Sequence, residues 1–302
     1  MSKFFDHVFL LRPVLLPPVW TVFLLGYHRS VLQGGQKSSI VTSFILLTLL
    51  SGAIYILNQI YDAESDRANR KLFLLADNLI PKRDAAIEAV LLGVLGILPA
   101  YVLSTGLGIL FTLGAALGFV YSVPPLALKN RPLGGLLSNA LGHGSLVFLM
   151  GWCTNLPLST KGIICSVPYL LAVGAIYLNT TIPDKAGDIK TGKVTLATKW
   201  GESSTKLFST FLVFVALVYS LVLKDYPFSL VAFLSMPFFI YMLFSHERRR
   251  VILATKIAVV CLSILTGVFY MWYFILLLLV YIISRIYYKW RFGISYPSLF
   301  GK

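Results

Sequence analysis

Apolar runs of about 18 to 22 residues recur along the chain, each long enough to cross the hydrocarbon core of a bilayer as a helix. Short polar breaks separate them. The pattern predicts spans at residues 13–31, from 40 into a polar stretch at 58, 85–104, 107–123, 133–153, 162–182, 207–223 and 228–244. The remaining apolar stretch, 251–288, has no clean break, and two helices hinged at Met271-Trp272 account for it best. The expected fold is an all-α polytopic membrane bundle of ten helices, nine being the alternative.

Composition agrees. The mean hydropathy is +0.81 and 57% of the 302 residues are apolar, which excludes a soluble globular class. The first run follows a short charged leader, lacks a small-residue cleavage site and feeds directly into a second span. It therefore reads as a membrane helix rather than a cleaved signal. The three cysteines, Cys153, Cys165 and Cys261, sit singly in or beside apolar runs and have no metal spacing.

The net charge of +14 raises nucleic acid as a partner, but its distribution excludes it. With the N-terminus inside, 22 of the 26 Lys and Arg residues fall in inner segments; only Arg29, Lys37, Lys161 and Lys224 fall outside. That bias predicts a cytoplasmic N-terminus and favours ten spans, which return a basic C-terminus to the same side.

Against this basic background the acids are few and grouped. Of twelve Asp and Glu residues, five (Asp62, Glu64, Asp66, Asp184, Asp188) fall in two short windows that each close an apolar helix. Residues four apart share a helix face, about 6 Å between Cβ atoms. Asn58, Asp62 and Asp66 thus form one oxygen-bearing stripe, and Asp184 and Asp188 a second. Such acids are either solvated helix ends or a site where a cation relieves their repulsion. An oxygen-only set suits a hard ion such as Mg²⁺, held by a few carboxylates plus substrate phosphates.

A weak internal repeat reinforces the second reading. Spans one to four and five to eight each read as pair, acidic loop, pair, basic loop. The chain divides into 1–132, 133–250 and 251–302 within a single membrane domain. Folding each half would bring both acidic stripes to one cytoplasmic mouth of an apolar cavity. That geometry suits an amphiphile with a charged head and a hydrocarbon tail.

These residues resemble the UbiA-type intramembrane prenyltransferases. The first signature of that family, Asn followed by Asp at four-residue steps, is matched by Asn58, Asp62 and Asp66; the second, Asp-x-x-x-Asp, by Asp184 and Asp188. The loop Tyr121-Ser-Val-Pro124-Pro125 to Lys129 is similar to the form in the chlorophyll-synthase-like branch, and Gly192-Lys-Val-Thr195 to the family's Gly-x-x-Thr run. Gln59 stands where many members have Asp. The loop after Arg70 reads Lys71-Leu-Phe-Leu-Leu-Ala-Asp-Asn and lacks the usual Arg-Pro-Leu-x-x-Gly.

The resemblance implies a Mg²⁺-dependent enzyme that moves a prenyl group from a prenyl diphosphate to a lipophilic, aromatic acceptor. The four aspartates and Asn58 would hold the metal. Asn58, Tyr121, Lys129, Arg67, Arg131 and Lys193 would contact the diphosphate. Within the family, the rival is transfer to a non-aromatic hydroxyl. From other classes, the rivals are a secondary transporter and an inactive scaffold. Arg12 reads as a topology anchor that could also reach the mouth. Lys185 could pair with either aspartate of its motif or contact the diphosphate. Asn179 and Thr180, one turn before Asp184, are expected at the same mouth. Asn139 and His143 are read either as acceptor contacts or as interhelical hydrogen bonds.

Overall fold

The computed structural model describes residues 2–36, 40–68, 73–190, 192–245 and 247–297; every regular element among them is helical. Lys37, the start of the loop after the first acidic motif (Arg70, Lys71, Leu72) and Lys302 lie outside the described residues.

A short α1 (Ser2–Leu10) precedes α2 (Leu16–Leu32). Then come α3 (Ile40–Ala68), the single turn α4 (Phe73–Ala76), α5 (Lys82–Leu103) and α6 (Thr105–Ser122). The fifth span is composite: α7 (Pro132–Asn139), a π-helical segment Ala140–Leu146, and α8 (Val147–Trp152). Next are α9 (Thr160–Lys190), the short α10 (Leu196–Trp200), α11 (Glu202–Val222), α12 (Tyr226–Leu243), α13 (Arg248–Phe269) and α14 (Met271–Phe292). Ten helices among the described residues are long and apolar enough to cross a membrane. Ten, not nine, is the count.

Two breaks differ slightly from the sequence pattern. The α5–α6 turn lies at Ser104 rather than Gly106, because the Ser104 hydroxyl accepts the Leu107 N–H at 3.1 Å and caps α6. The last hinge lies at Tyr270, one residue before Met271.

Lipid is as apolar as the side chains, so helices in a membrane associate through close packing rather than through escape from water. Here α2 and α8 touch backbone to backbone. A Cβ added to Gly26 would sit 2.0 Å from the Phe148 carbonyl oxygen, and one added to Gly151 would sit 2.0 Å from that of Phe23. Around this seam lie the fully buried Phe23, Phe111, Phe148 and Trp152. The outward faces of α5 and α14 instead present Val90, Leu98, Val102, Ile275, Leu278 and Ile286, all exposed, as lipid-facing surfaces are.

Charged ties lie at the two ends. At the end carrying α1, Asp6 accepts from the Tyr287 hydroxyl at 2.6 Å and from Arg291 Nε at 3.0 Å. Gln59 Nε2 donates to the Leu10 carbonyl at 2.8 Å. These bonds lay α1 against α3 and α14. At the opposite end Arg29 donates to the carbonyls of Leu223 and Lys224. Beside it Asp225 accepts from the Tyr169 hydroxyl at 3.1 Å; burial pushes its carboxyl above the usual range, and Arg29 partly offsets this.

The α2–α8 seam predicts its own failure. Gly26→Leu or Gly151→Leu forces the helices apart and should cost about 2 kcal/mol or more, read as a lowered thermal midpoint in detergent. Gly174→Ala, whose Cβ meets only side chains at 3.4–3.6 Å, should melt with the wild type.

Candidate active site

The site forms where the ends of α3 and α9 meet two irregular loops. The chain leaving α6 passes Pro124 and Pro125 and turns through Ala127 at φ +34. A single 3₁₀ turn, Leu128–Asn130, follows. This delivers Lys129, 4% exposed, onto the first stripe. Its Nζ lies 2.7 Å from Asp62 Oδ1 in ion-pair contact. Asn58, one turn earlier on α3, donates to Ser122 Oγ at 3.3 Å and so fixes α3 to the end of α6.

The second stripe has a matching lysine. After α9 the chain turns back through Gly192 at φ +70, a conformation glycine adopts without steric cost. The Lys193 N–H then bonds the Asp188 carbonyl at 2.9 Å, and Lys193 Nζ lies 3.9 Å from Asp188 Oδ1. Thr195 and Thr198 close the turn as a reciprocal capping box that starts α10. Tyr121 ties the two stripes together: it lies within electrostatic reach of both Asp62 and Asp188 and shares a hydrogen bond with the Asn139 side chain.

Below this mouth opens an apolar cavity of about 480 Å³, bordered at its polar end by Arg12, Asn58, Tyr121 and Thr180. Its wall reaches Leu47, about 16 Å below Asn58 along α3 at 1.5 Å per helical residue. The arrangement is a charged rim over a deep apolar bore.

The sequence-predicted residues divide accordingly. Asn58, Tyr121, Asn139, His143 and Thr180 line the cavity. Asp188 is nearly buried, whereas Asp184 is exposed and Asp66 half-buried. Arg131 and Lys193 line a shallower cleft beside the mouth together with Lys199. Arg67 is engaged elsewhere: its Nε donates to the Ala76 carbonyl at 2.5 Å and ties α4 back to α3.

Asn179 turns away from the cavity. Its Oδ1 accepts from Ser209 at 2.7 Å in the α9–α11 seam, because the residue one position before Thr180 lies about 100° around the helix. Lys185 also leaves its motif, its Nζ 3.8 Å from Glu202.

Two residues were under-read from sequence. Arg12 lines the cavity, brought there by a left-handed backbone at φ 54 between α1 and α2. Gln59 is buried and spends its amide on Leu10 and Tyr55 carbonyls. Its position beside Asn58 fastens α1 rather than extending the acidic stripe.

Among the described residues no three acidic, histidine or cysteine side chains converge into a ready metal cage. The donor set nevertheless fits Mg²⁺. That ion rarely takes an all-protein cage and is bound through one or two carboxylates plus phosphate oxygens and waters. Each stripe offers carboxylates of that kind, and the ammonium groups on Asp62 and Asp188 show that both attract a cation.

The model of the UbiA prenyltransferase family matches residues 15–251. A Bacillus subtilis 1,4-dihydroxy-2-naphthoate octaprenyltransferase is 31% identical over 135 residues, 43% of this chain and 43% of that protein. A rice protein named "Probable homogentisate phytyltransferase 2, chloroplastic" is 33% identical over 171 residues, 52% of this chain and 44% of that one. The match thus spans less than half the length of either curated relative. In structure, a UbiA homologue from Archaeoglobus fulgidus, solved with GPP and Mg²⁺, superposes with a TM-score of 0.69 at 18% identity, covering 90% of this chain and 99% of that one. The apo structure of a UbiA homologue from Aeropyrum pernix gives 0.66 at 18% identity, over 83% and 95%. These two likenesses establish the fold.

The Lys129–Asp62 pair is asymmetric, with side chains 5% and 30% exposed. Asp62→Asn leaves a buried ammonium without its counter-ion, whereas Lys129→Met leaves a carboxylate that water reaches. Asp62→Asn should therefore cost about 1–3 kcal/mol more in stability than Lys129→Met. Thermal melts of the two variants in one detergent check the order; the reverse order contradicts it.

Proposed function

The chain belongs to the UbiA prenyltransferase family, and on that premise we propose that it transfers a prenyl group from a prenyl diphosphate to a lipophilic aromatic acceptor. The observation that carries the reading is the union of two lysine-paired aspartate stripes with an apolar bore at one mouth.

In this reading the diphosphate head sits at the mouth and the tail lies in the bore. Asp62, Asp66, Asp184 and Asp188, with Asn58, would hold Mg²⁺, which supplies charge neutralisation to the diphosphate. Lys129 and Lys193 flank the same carboxylates, and their charge offsets the negative charge that builds on the leaving group. Arg131 and the Tyr121 hydroxyl are further donors at the rim, and Arg67 holds the segment after the first stripe. The C1–O bond breaks with its electron pair going to the diphosphate. The allylic cation left behind lies among apolar walls that exclude water, so the acceptor rather than hydroxide takes it.

The same reading orients the molecule. The excess of Lys and Arg in alternate loops supports an N-terminus and a mouth on the cytoplasmic side, where a water-soluble diphosphate head has access. Aromatic acceptors are favoured by the rings at the top of the bore, Tyr55, Tyr121 and Tyr177.

Purified protein given prenyl diphosphates of several lengths and a panel of aromatic and alcohol acceptors should release diphosphate only with Mg²⁺ and an acceptor. Asp62→Asn and Asp184→Asn should each lower the rate about 100-fold or more. Absence of turnover across the panel, or turnover indifferent to both substitutions, would sink the proposal.

A further inference from the structure

Polar groups inside a membrane bundle are costly unless they find a partner, and most of those lining the bore have one. The Tyr55 hydroxyl donates to the Leu15 carbonyl at 3.2 Å. Asn139 Nδ2 donates to the Gly135 carbonyl at 2.9 Å, and the Thr180 hydroxyl to the Tyr177 carbonyl at 2.7 Å. Deeper down, Thr21 is bonded to the hydroxyls of Tyr273 and Ser263.

Of those without one, two lie close together in the chain on the fifth span. Ser138 Oγ is buried and has no hydrogen-bond partner. Among the described residues, neither ring nitrogen of His143 has one either. The imidazole only stacks on Tyr55, centroids 6.2 Å apart and planes 29° apart, and both residues line the bore.

The backbone is arranged to put them there. Residues 138 and 143 are five apart, and an α-helix would turn them to different faces. The π-helical segment Ala140–Leu146 carries i→i+5 bonds, which widen the turn. Ser138, Asn139, Gly142 and His143 all reach the bore. Single π turns inside α-helices concentrate at functional sites.

We propose that His143 accepts the proton of a phenolic hydroxyl on the acceptor, with Ser138 as the second contact to that hydroxyl. The inference rests on the prenyl-transfer reading above and names the acceptor class within it. A phenol ring in the upper bore meets the faces of Tyr55 and Tyr121, and its hydroxyl meets the two unpartnered groups. As an ortho carbon of the ring forms the bond to prenyl C1, the diphosphate has left with the C1–O electron pair. The electron-poor ring adduct passes its hydroxyl proton to His143 and becomes a dienone. Loss of the proton from the new carbon centre restores the aromatic ring, and His143 returns the hydroxyl proton. The balance is one prenyl diphosphate and one phenol giving one prenylated phenol, diphosphate and one proton.

The titratable groups that share the bore with His143 are few: Tyr55 of α3, which stacks on it, Tyr121 of α6, Tyr177 of α9, and Arg12 before α2; α7 and α8 present no other titratable side chain to the bore. A proton acceptor must be neutral, so protonation of the imidazole in acid should lower kcat/KM.

The test uses the full chain in detergent with Mg²⁺, geranyl diphosphate, and either dihydroxynaphthalene or its dimethyl ether. His143→Phe keeps an aromatic ring against Tyr55 and removes the nitrogens. It should lower kcat/KM for the diol about 100-fold or more. His143→Gln should recover part of the rate but lose the acidic limb of the pH profile. Geranyl diphosphate binding without acceptor, measured on the wild type and both variants, separates a lost donor from a lost proton acceptor. Turnover of the diol by His143→Phe within about threefold of wild type, with the same acidic limb, would overturn the inference. So would a wild type that binds the diphosphate yet handles the ether as fast as the diol. Failure of the wild type to bind geranyl diphosphate with Mg²⁺ would instead bring down the prenyl-transfer reading, and this inference with it.

Discussion

A charge in the middle of a hydrocarbon layer is expensive enough that the bundle must carry its charges at the ends. The 2.7 Å contact of Lys129 with Asp62 is the local expression of that constraint. Lys129 is buried and tolerable there because the carboxylate lies against it; Asp62 in turn sits where α3 emerges from the apolar core. The proline-stiffened loop, the capped turn before α10 and the anchoring of α1 by Gln59 all serve to bring cations and acids together at one end. Relieved of charge, the rest of the bundle is free to enclose an apolar bore.

The scaffold around the bore is made rigid by different means. Glycine seams such as Gly26 against Phe148 and Gly151 against Phe23 let helices pack at the distance where dispersion contacts are most numerous. Lipid offers no hydrophobic drive to bring them together otherwise. The π-helical segment of the fifth span interrupts the regular helix of the wall beside Ser138 and His143, which have no hydrogen-bond partner among the described residues. A bore that is apolar below a charged rim sets a polar mouth against an apolar interior.

Much of this was legible in the sequence. Span positions followed from run length alone, and ten spans rather than nine followed from the charge bias. The i, i+4 spacing of Asn58, Asp62 and Asp66 marked the first stripe. What was not legible depended on side-chain direction or on contacts distant in sequence. Asn179 and Thr180 are neighbours in the chain but face different helices, so only Thr180 reaches the bore. Lys185 goes to Glu202, and Arg67 to the Ala76 carbonyl, because their long side chains have several partners within reach. Gln59 read as a degenerate member of the acidic motif, yet its partner is the Leu10 carbonyl, a contact no local pattern encodes. The π-helical turn leaves no signature beyond the glycines Gly142 and Gly144.

The most direct test of the central claim, that both acidic stripes act on one diphosphate, is equilibrium binding of a prenyl diphosphate with and without Mg²⁺ and in the absence of acceptor. Wild type, Asp62→Asn, Asp188→Asn and the double variant would be compared. A shared site predicts Mg²⁺-dependent binding that either single substitution weakens about 100-fold, with the double variant little worse than the singles, as expected for groups acting as one unit. Binding that needs only one of the two aspartates, or that ignores Mg²⁺, would contradict it.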